Sequence, residues 1–236
     1  MYILHIANKN YSSWSLRPWA LLRARAIAFR EELHFFDGQS NEVAFREFSP
    51  SARVPCLHDG ATTVWDSLAI IEYLAERHSD VWPVDSSARA WSRCACAEMH
   101  AGFAELRNQC SMNVGVRIRL HAPTERLRSD LRRLEELWSE GLRRFDGPWL
   151  AGPEFTAADA YFAPVAFRIQ TYELPLDEPC RSYAGRLLGH PALRTWEAQA
   201  LAETRRDEAH ESAIPASGAL LADLRARPSS TATAAA

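Results

Sequence analysis

The hydrophobic pattern of this chain changes period near residue 80. Before that point short apolar runs alternate with stretches of helical spacing. Beyond it only the helical spacing remains. Residues 2–7 read as a buried strand. Residues 14–26 read as a helix with Pro18 near its first turn, where a missing N–H costs little. A second strand is expected over 32–36 and a short helix around 42–48. In RVPCLHDGATTVW (53–65) two apolar runs flank Asp59-Gly60, a dipeptide that accepts the backbone of a tight hairpin turn. DSLAIIEYLAERH (66–78) places Leu68, Ile71, Tyr73, Leu74 and Ala75 at helical positions, with Asp66 or Ser67 available as cap. The order is β-α-β-α-β-β-α, which predicts an α+β domain over residues 1–79.

SDVWPVDSS (79–87) is polar and proline-containing, and the boundary is expected in it, with a linker over 80–87. An all-α domain over 88–211 follows. Trp91, Ala95, Glu98/Met99, Gly102/Phe103 and Leu106 share one helical period, predicting a single long helix over about 90–114. Leu127, Leu131, Leu134, Trp138, Leu142 and Phe145 mark another. FTAADAYFAPVAFRIQTY (155–172) opens with Thr156 as N-cap, Asp159 three residues on to answer the Thr156 N–H, and Phe155 before the cap as a staple. Pro164 is expected to kink it. Two shorter helices are expected near 180–188 and 191–205. The tail from 212 to 236 is small, polar and alanine-rich, and is expected to be disordered.

Net charge is −3 with acids and bases interspersed, so nothing points to nucleic acid or an anionic membrane as partner. The longest apolar runs are too short to span a bilayer, and the first residues lack the features of a signal peptide. Five cysteines, Cys56, Cys94, Cys96, Cys110 and Cys180, show no metal spacing and read as reduced thiols of a cytoplasmic protein.

Four short motifs, in order along about residues 1–205, carry a resemblance. SSWSLR (12–17), RVPCL (53–57), WDSLAIIEYL (65–74) and FTAAD (155–159) are similar to stretches of the cytosolic glutathione transferases. SSWSLR and EMHAGFAELRNQCSMNV (98–114) resemble the zeta class and its bacterial relatives most. The resemblance implies a thioredoxin-like N-terminal domain followed by a helical one, glutathione as co-substrate with no metal, a homodimer, and attack of a glutathione thiolate on small, mostly apolar electrophiles. A glutathione-dependent isomerase of the maleylacetoacetate type, a dehalogenase, and a non-catalytic interaction module are the other readings.

An ordinary thiol has a pKa of about 8.5. Lowering it by about two units makes the thiolate the majority species at neutral pH and stabilises it by roughly 2.7 kcal/mol. A hydroxyl donor at a positive helix N-terminus supplies much of this. One serine suffices as a cap, so an additional one could contact the sulfur. The family match favours Ser12, with Ser13 next. Ser15 is expected inside the first turn, and the other reading is that all three only cap it. Tyr11 fits an activating role poorly. Trp14 stands where zeta enzymes usually carry cysteine.

For glutathione, the resemblance implies Val54 ahead of a cis Pro55, with its backbone turned to the ligand. Asp66 is implied for the ammonium, Ser67 for the carboxylate, and Arg53 for the glycine end. Lys9, Asn10 and Arg17 are weaker candidates. The electrophile is expected between the first turn and the helix 90–114, near Trp14, Arg107, Met112, Asn113 and Arg117. Thr156 and Asp159 are assigned to structural capping.

Overall fold

Leu4, Ile6 and Ala7 lose all solvent contact while Tyr2, Ile3 and His5 stay partly exposed, so the first strand is buried on one face and at its C-terminal end. The structure, a computed structural model, describes residues 1–37 and 41–226. Strand β1 (Tyr2–Ala7) runs into helix α1 (Ser13–Ala24), which returns the chain to β2 (Phe29–His34) in parallel to β1. Helix α2 (Glu42–Arg46) follows, then the hairpin β3 (Cys56–Asp59) and β4 (Thr62–Val64), then α3 (Ser67–Ala75). The sheet order is β2-β1-β3-β4, with β3 antiparallel to both β1 and β4. Gly60, with φ of +58°, makes the hairpin turn. The second strand lies a little earlier than expected, because its register runs from Tyr2 opposite Phe29 to Ala7 opposite His34.

The helical part contains α4 (Ser86–Ala101), α5 (Ala104–Gln109), α6 (Glu125–Arg144), α7 (Ala157–Tyr172), α8 (Glu178–Gly189), α9 (Pro191–Ala202) and α10 (Glu208–Ser217). Strands β5 (Val116–Leu120) and β6 (Gly218–Asp223) pair antiparallel. Helix α1 packs against α7, α3 and α9 as well as the sheet, so Leu16, Trp19, Ala20, Leu21 and Leu22 are wholly buried. Helix α7 is buried along almost its whole length. Asp159 accepts from the Thr156 N–H at 2.8 Å, from the Leu150 N–H at 3.0 Å and from the Tyr183 hydroxyl at 2.8 Å. One carboxylate thus caps α7 and ties α8 to it. Burial pushes its carboxyl up to about 6 against these bonds.

Two expectations fail here. The single helix over 90–114 is broken. The chain leaves α4 at Gly102, where a Cβ would lie 2.9 Å from the Glu98 carbonyl oxygen, and Phe103 turns it with φ of +54°. Phe103 and Leu106 keep their apolar spacing but reach the core from two directions. Residues 116–120 then form a strand. The tail is also ordered well past residue 212, through α10 and β6. Its charged residues explain this better than its composition does: Arg225 pairs with Glu211 at 2.5 Å and with Asp223 at 2.7 Å. Strand β5, which the helical reading conceals, supplies β6 with its ladder. Expected disorder over 227–236 lies outside the described residues.

Candidate active site

The first turn of α1 holds the three serines in three different roles. Ser12 is the N-cap residue, but its hydroxyl caps nothing; it donates to the Ser15 hydroxyl oxygen at 2.6 Å. Ser15, wholly buried, accepts in addition from the Ala7 N–H at 3.3 Å, joining the helix start to the end of β1. Ser13 is the first helical residue, and among the described residues its hydroxyl has no hydrogen-bond partner. Ser12 and Ser13 both line a cleft of about 690 Å³. The Tyr11 ring borders this cleft, but its hydroxyl donates to Glu211 at 2.7 Å, and burial first and that bond next push it far above the ordinary tyrosine range.

A second cleft of about 280 Å³ adjoins the first. Arg53, Val54, Pro55, Asp66 and Ser67 line it, and Trp14, Ser51, Arg53 and Val54 border both. The Val54–Pro55 bond is cis, as expected. Asp66 caps α3 by accepting from the Leu68 N–H at 3.1 Å, and its other oxygen lies 3.4 Å from His100 Nε2. The Ser67 hydroxyl, fully buried, meets the Tyr161 hydroxyl at 3.2 Å, and Tyr161 in turn meets His100 Nδ1 at 2.7 Å. Asp66, Ser67, Tyr161 and His100 therefore form one polar wall between α3, α4 and α7.

Of the electrophile-site candidates, Trp14, Arg107 and Met112 line the larger cleft. Asn113 does not. It is buried with its amide 3.5 Å from Glu211, and its carbonyl accepts from Thr171 at 2.8 Å, because the chain beyond α5 turns inward toward β5. Arg117 is likewise outside the cleft, with Nη1 on the carbonyls of Val114 and Val116. Lys9 and Asn10 are structural. The buried Lys9 ammonium pairs with Glu31 at 2.5 Å and lies over the Trp19 and Trp196 rings. Asn10 bonds Ala200, Glu203 and the Gly115 N–H. Arg17 is fully buried between the Trp14 and Tyr161 rings, 4.5 and 4.2 Å from their centroids, and lines neither cleft.

Sequence reasoning missed Arg168, His100 and His210. Arg168 and His210 line the larger cleft, and His100 the smaller. His210 stacks between Tyr11 and Phe36 and bonds Asp207 through Nδ1. No local pattern marks these residues, since each arrives from a distant element. Burial holds Arg17 down to about 10 and Arg168 down to about 9, so both remain cationic at neutral pH, and burial also lowers Arg107.

The glutathione S-transferase N-terminal domain profile matches residues 11–77, and the C-terminal domain profile matches residues 121–198. Glutathione S-transferase theta-1 of Mus musculus is 29% identical over 188 residues, covering 74% of this chain and 73% of that protein. A probable maleylacetoacetate isomerase of Caenorhabditis elegans is 28% identical over 180 residues, covering 70% of this chain and 80% of that protein. Among solved structures, a glutathione transferase homologue from Burkholderia with bound glutathione matches with a TM-score of 0.63 at 22% identity, covering 84% of this chain and 97% of that one. Both halves of the molecule thus match the same family in the same order, and the chain belongs to the glutathione S-transferases.

Proposed function

We propose that this protein is a serine-type glutathione transferase. The γ-glutamyl end of glutathione occupies the smaller cleft, with Asp66 toward the ammonium, Ser67 toward the carboxylate and Val54 along the peptide. Arg53 serves the glycine end. The sulfur then lies at the mouth of α1, where Ser12, with Ser13 as the alternative donor, stabilises the thiolate. Its reaction partner enters the larger cleft.

The observation that carries this reading is the junction of the two clefts at Trp14 and Val54, beside a helix N-terminus with two serine hydroxyls. The Ser12 hydroxyl donates a hydrogen bond to the Ser15 oxygen. If Ser15 turns its own proton toward the Ser12 oxygen, Ser12 can donate to sulfur without leaving Ser15. The pair is then a short relay in which Ser15 orients the donor.

Calorimetric titration with glutathione, followed by conjugation of an aryl halide, tests the reading. Saturable binding and a thioether product are expected. An absence of binding heat would refute it.

The likeness to the Caenorhabditis elegans protein favours a second reading, a zeta-like isomerase in which the same thiolate adds to substrate and is expelled. Trp14 in place of cysteine separates this chain from the zeta pattern. Product analysis without net glutathione consumption would identify that chemistry. Glutathione-dependent dehalogenation uses the same thiolate. A purely interacting module has no use for the joined clefts.

A further inference from the structure

Among the described residues, the positive charge that faces the larger cleft is ion-paired to no carboxylate. Arg107 and Arg168 both face it. Arg168, 3% exposed, donates from Nε to the Cys110 carbonyl at 2.8 Å and from Nη1 to the Pro164 carbonyl at 3.4 Å, which leaves Nη2 without an acceptor among the described residues. Arg107 gives Nη1 to the carbonyls of Met99 and Gly102, and among the described residues its Nε and Nη2 have no acceptor. Among the described residues neither makes an ion pair. Asp130, the carboxylate Arg107 feels most, is bonded to the Leu106 N–H at 3.0 Å. The lining carboxylate, Glu42, pairs with Arg46 at 2.8 Å on the open surface. Behind Arg107 and Arg168 stands Arg17, fully buried, with Nε and Nη2 unpartnered.

A buried guanidinium without a counterion is costly, and burying several together costs more. A carboxylate ligand would relieve that cost, because Nε and Nη2 of Arg107 form a fork suited to it and Nη2 of Arg168 adds a further donor. Trp14, Phe36, Phe45 and Met112 add apolar walls to the same cleft. We propose that the second substrate is an anionic electrophile, an apolar or aromatic body bearing a carboxylate that is held by Arg107 and Arg168. This rests on the transferase reading and departs from the mostly apolar electrophiles that the family resemblance implies. With an aryl chloride of this class, the thiolate forms a C–S bond at the ring carbon. The C–Cl bond then breaks and chloride leaves with the electron pair. The thiol proton has already passed to solvent.

A chloronitrobenzoate and its uncharged carboxamide provide the test. After each is divided by its rate with free glutathione, kcat/KM is expected to favour the carboxylate by about tenfold. Arg107→Met and Arg168→Met are each expected to remove most of that preference through KM for the benzoate, with KM for glutathione nearly unchanged, while Arg168→Lys retains part of it. Equal rates for the two chlorides in the unaltered enzyme would overturn the proposal and leave the transferase reading standing. So would a rise in KM for glutathione alone.

Calorimetry with unreactive nitrobenzoate keeps the two ideas separate. Should neither chloride be conjugated, nitrobenzoate binding that Arg107→Met weakens would sustain the anion site while the transferase reading falls. Undetectable nitrobenzoate binding to the unaltered protein would end the proposal.

Discussion

At the scale of residues, the three serines carry the sharpest expectations. Ser12→Ala removes the proposed sulfur donor and is expected to raise the apparent pKa in the pH–rate profile by one unit or more. Its kcat/KM is expected to fall about tenfold, with glutathione binding changed less. Ser15→Ala, which removes only the orienting partner, is expected to produce a smaller shift in the same direction. If Ser13→Ala instead moves the profile, the donor is Ser13. Asp66→Ala takes away a cap worth about 1 kcal/mol together with the group proposed to meet the glutathione ammonium. It is expected to weaken glutathione binding severalfold in calorimetry, with kcat little altered. The caps at Asp66 and at Thr156 with Asp159 were legible in the sequence because cap chemistry is local: Asp66 accepts from the Leu68 N–H, and Thr156 and Asp159 lie three residues apart and meet. Arg168, His100 and His210 were not, because what makes them site residues is the company of elements far along the chain.

At the scale of elements, His5, His34 and His58 crowd one region of the sheet beneath Phe48. His5 Nδ1 lies 2.9 Å from His34 Nε2, and His5 and His34 each stack on the Phe48 ring. Burial first, then His58, His34 and Arg30, press His5 down to about 4. Its proton therefore prefers the unfolded chain, whose histidine titrates near 6.5. The stability that His5 contributes is complete above that value and is lost as pH falls toward 4. Discounted for partial exposure, the loss is about 1–2 kcal/mol. Urea midpoints measured from pH 7.5 to 4.5 are expected to fall less steeply for His5→Phe. The helix break at Gly102 and Phe103 escaped the sequence reading because apolar spacing fits a continuous helix equally well. Similarly, β6 needs a partner strand that the same reading hides. Arg225→Ala, which unpairs Glu211 and Asp223, is expected to speed amide exchange over 208–223 while leaving α7 protected.

At the scale of the whole molecule, the order of strands and helices through α3 was readable from period with turn and cap signals, and the change to helical spacing near residue 80 is real, but β5, β6 and the break after α4 were not readable. The joined clefts were not readable, since they exist only where α1, the β3 approach, α3, α4, α7 and α10 converge. As a glutathione transferase the protein is expected to form a homodimer, sedimenting at twice the chain mass. The central claim is that a hydroxyl at the start of α1 holds the sulfur of glutathione ionised. Thiolate ultraviolet absorbance of the bound tripeptide, followed against pH, tests it most directly. The account predicts a titration about two units below that of free glutathione, moved back toward the free value by Ser12→Ala or Ser13→Ala. Bound glutathione that titrates like the free thiol in the unaltered protein would contradict it.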